Sequence, residues 1–361
     1  MKPNAPTWNG QPSHLWDTSA ETLDVGRLTL CVDPRLELLA TVQWLSSYGS
    51  RFPLLTRLEF DYKADVRAHF DPYRDHQAVR HLNEMLDRPA SPEAPPFAFA
   101  APPEAMLYVR PDFTVAPAIH ADAFLIGRTG GRSMLDTFIA NLRAFYTTSE
   151  FPAFFENHRP TYRKILTRTA QKLGTRDEIA RLEMFYGLQQ GSYTILLMPL
   201  YHSVGFGPNL QADGVRHIFS ILGPAGVTDG LPHFGSRAYF RHMQQHEFSH
   251  SFVNPLTASH WERGRAYVQG YNSLAEAQEV VNESVIRAVT TWFAYEDEGS
   301  TQGDAALRRE IDRGFPMVAP LLTKLRIYAA NRDRYPTLDA FYLELLRTFG
   351  ERGKRLEGRD P

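Results

Sequence analysis

Cysteine is almost missing from this chain. The single Cys31 among 361 residues rules out an internal disulfide and any zinc site built from several thiolates. Long apolar runs are missing too: no stretch of about 18 apolar residues occurs, so nothing is expected to span a membrane. Neither charge sign prevails, with 39 Lys and Arg against 41 Asp and Glu and a net charge of −2. No strong field then favours nucleic acid or an anionic membrane, and neither is an expected partner. Met1 to Leu23 lacks the apolar core of a secretory signal. With no disulfide possible, a reducing cytoplasm is the expected compartment, although an exported protein trimmed of its signal would read the same way. Hydrophobic content of 43% and charged content of 22% are ordinary for a globular protein. The length allows one large domain or two intimate ones.

Against these absences one stretch stands out. Gln245-His246-Glu247-Phe248-Ser249-His250 reads H-E-x-x-H inside a run with helical character. Positions i and i+4 lie one above the other on a helix face. His246 and His250 can therefore offer two imidazole nitrogens to one zinc ion, each about 2.0–2.1 Å away. Glu247 follows the first histidine, so its carboxylate lies beside the ion, placed to take a proton from water.

Around this motif the chain reads as mostly helical. Asp33 can cap a helix that Pro34 begins, with Leu36, Leu39, Ala40, Val42 and Leu45 on one face and an end near Gly49. Two short helices are expected between Tyr62 and Leu86, split at Asp71-Pro72. The proline-rich stretch from Arg88 to Glu104 reads as a long surface loop. Met134 to Ala144, Pro160 to Leu173 and Asp177 to Tyr186 follow as helices, with Gly174 as a stop. Tyr193 to Met198 and Val215 to Leu222 are the strand candidates. Gly226 to Gly235 reads as a loop, after which Ser236 caps the motif helix. That helix should end at Asn254-Pro255, because a residue before proline disfavours the helical region. Helices near Ser273–Phe293, Asp304–Arg332 and Thr337–Phe349 complete the chain. The last carries a stripe of Leu338, Phe341, Tyr342, Leu345, Leu346 and Phe349, read as core packing.

A catalytic zinc takes three protein ligands and keeps one position open. No histidine follows His250 at the spacing that would complete a three-histidine set. Glu283, in Val281-Asn282-Glu283-Ser284-Val285, is the best third ligand, because an unpaired carboxylate in so apolar a stretch is costly and a metal would relieve it. Pairing with Arg287 at i+4 would relieve it as well. Glu276 and Glu279, on the same helix, are the runners-up. His242 and His250 are separated by about 12 Å of helix axis and cannot share an ion. His202, His217, His233 and His260 are read as structural or exposed.

The pairing of H-E-x-x-H with Asn282-Glu283 resembles the gluzincins, zinc peptidases of the thermolysin type, whose second helix carries N-E-x-x-x-D. Arg287 stands where that pattern has Asp. The longer pattern resembles the domain-of-unknown-function family 4932, through Asp33-Pro34-Arg35-Leu36-Glu37-Leu38-Leu39, His246 to Pro255, and Asn282 to Ala288. The resemblance implies a zincin-like core and a gluzincin-like hydrolase of unspecified substrate. In peptidases of this type the substrate lies along the edge strand of the sheet, and Tyr201 to Gly205 is the candidate edge, with a buried strand as the alternative.

The expected protein is therefore α+β and predominantly helical. A helical region at 1–190 packs on a zincin-like region at 191–361 that holds a small sheet, the H-E-x-x-H helix and a third-ligand helix. The expected activity is that of a zinc metallopeptidase with one zinc on His246, His250 and Glu283, and with Glu247 as the base, acting on a peptide or protein. Hydrolysis of another amide or a small conjugate, or a non-catalytic helical interaction protein with a vestigial site, are the alternatives. Tyr267, Tyr271, His260 and Tyr295 are the candidates for stabilising the oxyanion. Cys31 lacks the neighbours of a thiol nucleophile.

Overall fold

The computed structural model describes residues 20–89, 96–110, 112–114, 123–212, 214–271 and 273–357. Most of the signal-peptide reading, part of the proline-rich loop and Asn272 thus fall outside the described residues. In chain order come β1 (Glu21–Val25), β2 (Leu28–Val32), α1 (Pro34–Leu45), α2 (Tyr48–Arg51), α3 (Asp61–Phe70), α4 (Gln77–Asp87), α5 (Ala101–Met106), α6 (Ala123–Thr129), α7 (Arg132–Thr148), α8 (Phe151–Ala170) and α9 (Glu178–Tyr186). The remainder is β3 (Ser192–Leu197), β4 (Gly205–Phe206), β5 (Asn209–Ala212), β6 (Val215–Leu222), β7 (Gly226–Thr228), β8 (Leu231–His233), α10 (Arg237–Gly264), α11 (Leu274–Asp312), α12 (Val318–Ala330) and α13 (Leu338–Glu357). The fold is α+β and predominantly helical, with 62% helix and a small sheet.

The sheet has the order β1-β2-β3-β6-β4, with β5 also paired to β6. Strands β2, β3 and β6 run parallel, whereas β1, β4 and β5 are antiparallel to their neighbours. A parallel strand covered on both faces needs a continuous apolar run rather than an alternating one, and Tyr193 to Leu197 is buried throughout. Strands β1 and β2, which periodicity did not reveal, join β3 in one sheet that crosses residue 190. Cys31 lies inside β2, 1% exposed, and burial holds its thiol well above the ordinary range, where no thiolate nucleophile forms.

Asp33 caps α1 by accepting from the Arg35 amide at 2.8 Å. The same carboxylate takes the Arg35 guanidinium, both side chains 2% exposed, while Arg35 Nη1 donates to the Val109 carbonyl at 2.5 Å. The Asp33-Pro34-Arg35 segment is thus a structural clasp. Nearly every residue of α1 is buried, so it runs through the core instead of lying over it. The stripe on α13 is buried at all six positions. Short α2 and α5 are further helices, and β7 pairs β8 in a hairpin where a plain loop was expected.

Three helix boundaries differ from expectation. Helix α8 begins at Phe151 and contains Pro160 instead of starting there. The helix expected over Asp304–Arg332 is two elements, parted by Gly314 at φ 92° and Phe315-Pro316. Most consequential, α10 runs through Pro255 to Gly264. A proline inside a helix frees the carbonyl four residues back, here that of Ser251. Gln190 Nε2 and Arg216 Nη1 each donate to that oxygen at 3.4 Å. The partner that proline removes is supplied from β3's approach and from β6, so the helix continues. Beyond Pro255, Thr257 donates to Asn282 Oδ1 on α11 and shares a hydrogen bond of 2.6 Å with the Tyr342 hydroxyl. This contact ties α10 to α11 next to the motif.

Candidate metal centre

Ser236 starts α10 by accepting from the Tyr239 amide at 3.2 Å, and ten residues on the helix turns His246, Glu247 and His250 toward α11. His246 is 8% exposed and Glu247 3%. Glu283 on α11 meets both histidines. Its Oε2 lies 3.7 Å from His246 Nε2 and its Oε1 3.3 Å from His250 Nε2. Ligand atoms of the three residues lie within 4.8 Å of one another. Atoms about 2.1 Å from a tetrahedral ion would be separated by about 3.4 Å, so the spacing suits one small ion. Two imidazoles and a carboxylate form a donor set that zinc accepts. Glu276 and Glu279 are exposed and outside this group.

Electrostatics fits ligation. Burial, then the neighbouring His250 and Arg287, holds His246 well below its ordinary pKa, and burial lowers His250 as well. Both imidazoles are thereby kept neutral, the form that binds metal. His250 Nδ1 faces Asn254 Oδ1 at 3.4 Å, which orients the ring with Nε2 toward Glu283. Asn254 thus supplies the contact that orients His250, and Arg287 does not. Arg287 instead donates to Glu283 Oε2 at 2.9 and 3.0 Å, fixing the carboxylate from behind. Pairing with Arg287 thus satisfies Glu283 and still leaves its carboxylate facing both histidines. The Glu247 carboxyl is pushed well above its usual range, first by burial and then by the charge of Glu283. Its Oε2 is 3.9 Å from His250 Nε2.

These groups open into a cavity of about 1680 Å³. The edge strand β4 forms one wall, and it rides directly on α10. A Cβ at Gly205 would come within 2.2 Å of Glu247 Oε1, and one at Gly207 within 2.0 Å of the Glu247 carbonyl. Glycine at these two positions permits the close approach of strand to helix. Tyr201 belongs to the core, 0% exposed and bridged to Leu55, so the edge starts after it.

Other candidates lie elsewhere. His202 is exposed. His217 bonds Ser192 at 2.8 Å, His233 accepts from the Gly235 amide, and His260 faces Asp339 at 2.7 Å. None of Tyr267, Tyr271, His260 and Tyr295 lines the cavity among the described residues. Tyr295 donates to Asp304 and Tyr267 packs on Gly350. Tyr239 does line the cavity, its hydroxyl 3.1 Å from Ser203 Oγ. Its position seven residues before His246 places it on the same helix face, a signal present in the sequence but not used.

A buried H-E-x-x-H helix, crossed by a carboxylate-bearing helix under a sheet edge, defines the class of arrangement. The family described as Domain of unknown function (DUF4932) matches residues 28–348, and the chain belongs to it. No curated protein and no solved structure matches the chain.

Proposed function

We propose that this protein is a zinc-dependent hydrolase, a metallopeptidase of the gluzincin type with a zincin-like core. The observation that carries the reading is the convergence of His246, His250 and Glu283 within 4.8 Å beside a buried Glu247. His246 and His250 would hold the ion through Nε2 and Glu283 through its carboxylate. When bound, zinc would activate a water, polarise the scissile carbonyl and, as a dication, keep the Glu247 carboxylate ionised. Glu247 then takes the water's proton and returns it to the leaving nitrogen. Arg287 keeps Glu283 in position, and Asn254 does the same for His250. Strand β4 would offer its edge to an extended backbone, and the Tyr239 hydroxyl, in the cavity lining, is the candidate donor to a developing oxyanion. The cavity exceeds the roughly 300–1,000 Å³ of common small-molecule sites, which favours a peptide over a small conjugate.

Metal analysis of the purified protein tests this reading. About one zinc per chain is expected, lost in His246→Ala and His250→Ala, weakened in Glu283→Ala and retained in Glu276→Ala and Glu279→Ala. Full zinc in either histidine variant removes the proposal. A peptide library, with Glu247→Gln as control, then reads the activity.

A further inference from the structure

The groove extends past the metal ligands to charged side chains that this chemistry does not use. Arg241 and His242 from α10, with Arg309, Glu310 and Arg313 from α11 and its end, line the same cavity next to Arg287, which holds Glu283. Gly299, at φ 78°, breaks α11, and the second segment folds back. Arg287 and Glu310 would be about 34 Å apart on a straight helix, yet Arg287 Nη1 donates to Glu310 Oε2 at 2.7 Å.

Glu310 is 5% exposed and saturated, because Arg313 Nη1 takes its other oxygen at 3.0 Å. One buried carboxylate thus holds two guanidinium groups on the groove wall. Stacking on Phe315 at 4.0 Å steadies Arg287 further. The other carboxylates near this wall are also engaged. Glu298 pairs Arg241 at 2.5 Å, and Asp297 pairs Arg176 and Arg181. Arg309 has no ion-pair partner among the described residues. Four guanidinium groups, Arg241, Arg287, Arg309 and Arg313, and three carboxylates besides Glu283, namely Asp297, Glu298 and Glu310, line this part of the cavity, and each of these carboxylates is already engaged by an arginine other than Arg309. His242 sits among them, its ring 6.1 Å from that of His246. An extended chain advances about 3.3–3.6 Å per residue, so His242, at the near end of the wall, is about two residues from His246.

We infer that this wall is a carboxylate-binding subsite: Arg309, supported by Arg313 and His242, receives an acidic side chain or a free C-terminal carboxylate of a peptide lying in the groove. The inference rests on the hydrolase reading of the groove. Arg309 brings a fork not committed to an ion pair among the described residues, and Arg313, already fixed by the buried Glu310, adds its charge with little reorganisation.

Binding to the full-length Glu247→Gln protein tests it without turnover. Labelled peptides differing only by Glu or Gln, each with a free or an amidated C-terminus, are titrated by fluorescence anisotropy. The acidic member of one pair should bind about tenfold tighter, and the pair that shows it identifies the source of the carboxylate. Arg309→Gln, at an exposed position, should bring the ratio near one and leave the neutral peptide's affinity unchanged; about 0.5 M salt should shrink it too. Equal affinities, an unchanged ratio in Arg309→Gln, or no binding at millimolar peptide overturns the subsite. Charge-selective binding with no peptide cleaved by the wild type would sink the hydrolase reading alone, whereas cleavage without charge preference would sink only the subsite.

Discussion

Glu37 on α1 and Glu247 on α10 are both buried carboxyls, 0% and 3% exposed, and burial raises the pKa of both. Their surroundings separate them. Glu37 accepts from the Tyr62 hydroxyl at 2.7 Å, and Tyr62 in turn receives Tyr162 at 3.0 Å. It is held at about 8, a protonated member of a packed network. Glu247 faces a cavity, two neutral imidazoles and a second carboxylate. A displaced pKa therefore marks burial, and only the groups a carboxyl faces mark chemistry.

Replacing each acid by its amide makes the sharpest comparison. Glu247→Gln should lower hydrolysis by roughly 10²–10⁴-fold with zinc and fold retained, while Glu37→Gln leaves turnover unchanged; steady-state rates with metal content check both. Equal losses would break the distinction.

Gly205→Ala should come next in size. The added methyl strikes Glu247 Oε1 and so displaces the base, lowering kcat by about 10²-fold at unchanged zinc content, by the same general-base argument. A fully active Gly205→Ala would show that β4 can yield. Asn254→Ala frees the His250 ring and should weaken zinc affinity by about tenfold, read by competition with a chelator.

The smallest effect is on stability. The Glu37 carboxyl has a folded pKa of about 8 against an ordinary 4.5, so the folded state binds more protons between these values. Stability is full below about 4.5 and declines as pH rises through 8. Glu37→Gln mimics the protonated acid and should flatten that decline in denaturant titrations from pH 5 to 9. An unchanged slope would remove Glu37 as its source.

Local order explains why much of the fold was readable in advance. Asp33 and Ser236 cap helices through bonds to amides two or three residues away, and the α13 stripe recurs at helical spacing. The failures are long-range. Pro255 should end a helix by local rules, and it does not because Gln190 and Arg216, distant in the chain, take the freed Ser251 carbonyl. Strand β2 pairs β3 across more than half of the chain before it, which no local pattern shows, whereas β1 pairs only β2, in a hairpin turning at Gly26, a local signal that periodicity passed over.

The pair His246 and His250 and the adjacent Glu247 were determined by sequence alone, since the helix repeat places i and i+4 on one face whatever packs against it. Choosing Glu283 over Glu276 and Glu279 as the residue that meets them was different. A carboxylate on a second helix has no fixed distance to the first until the helices dock. The Thr257–Asn282 contact ties the two helices together beside the motif. Only the tertiary structure decided which acid faces the histidines, and which arginines line the groove beside them.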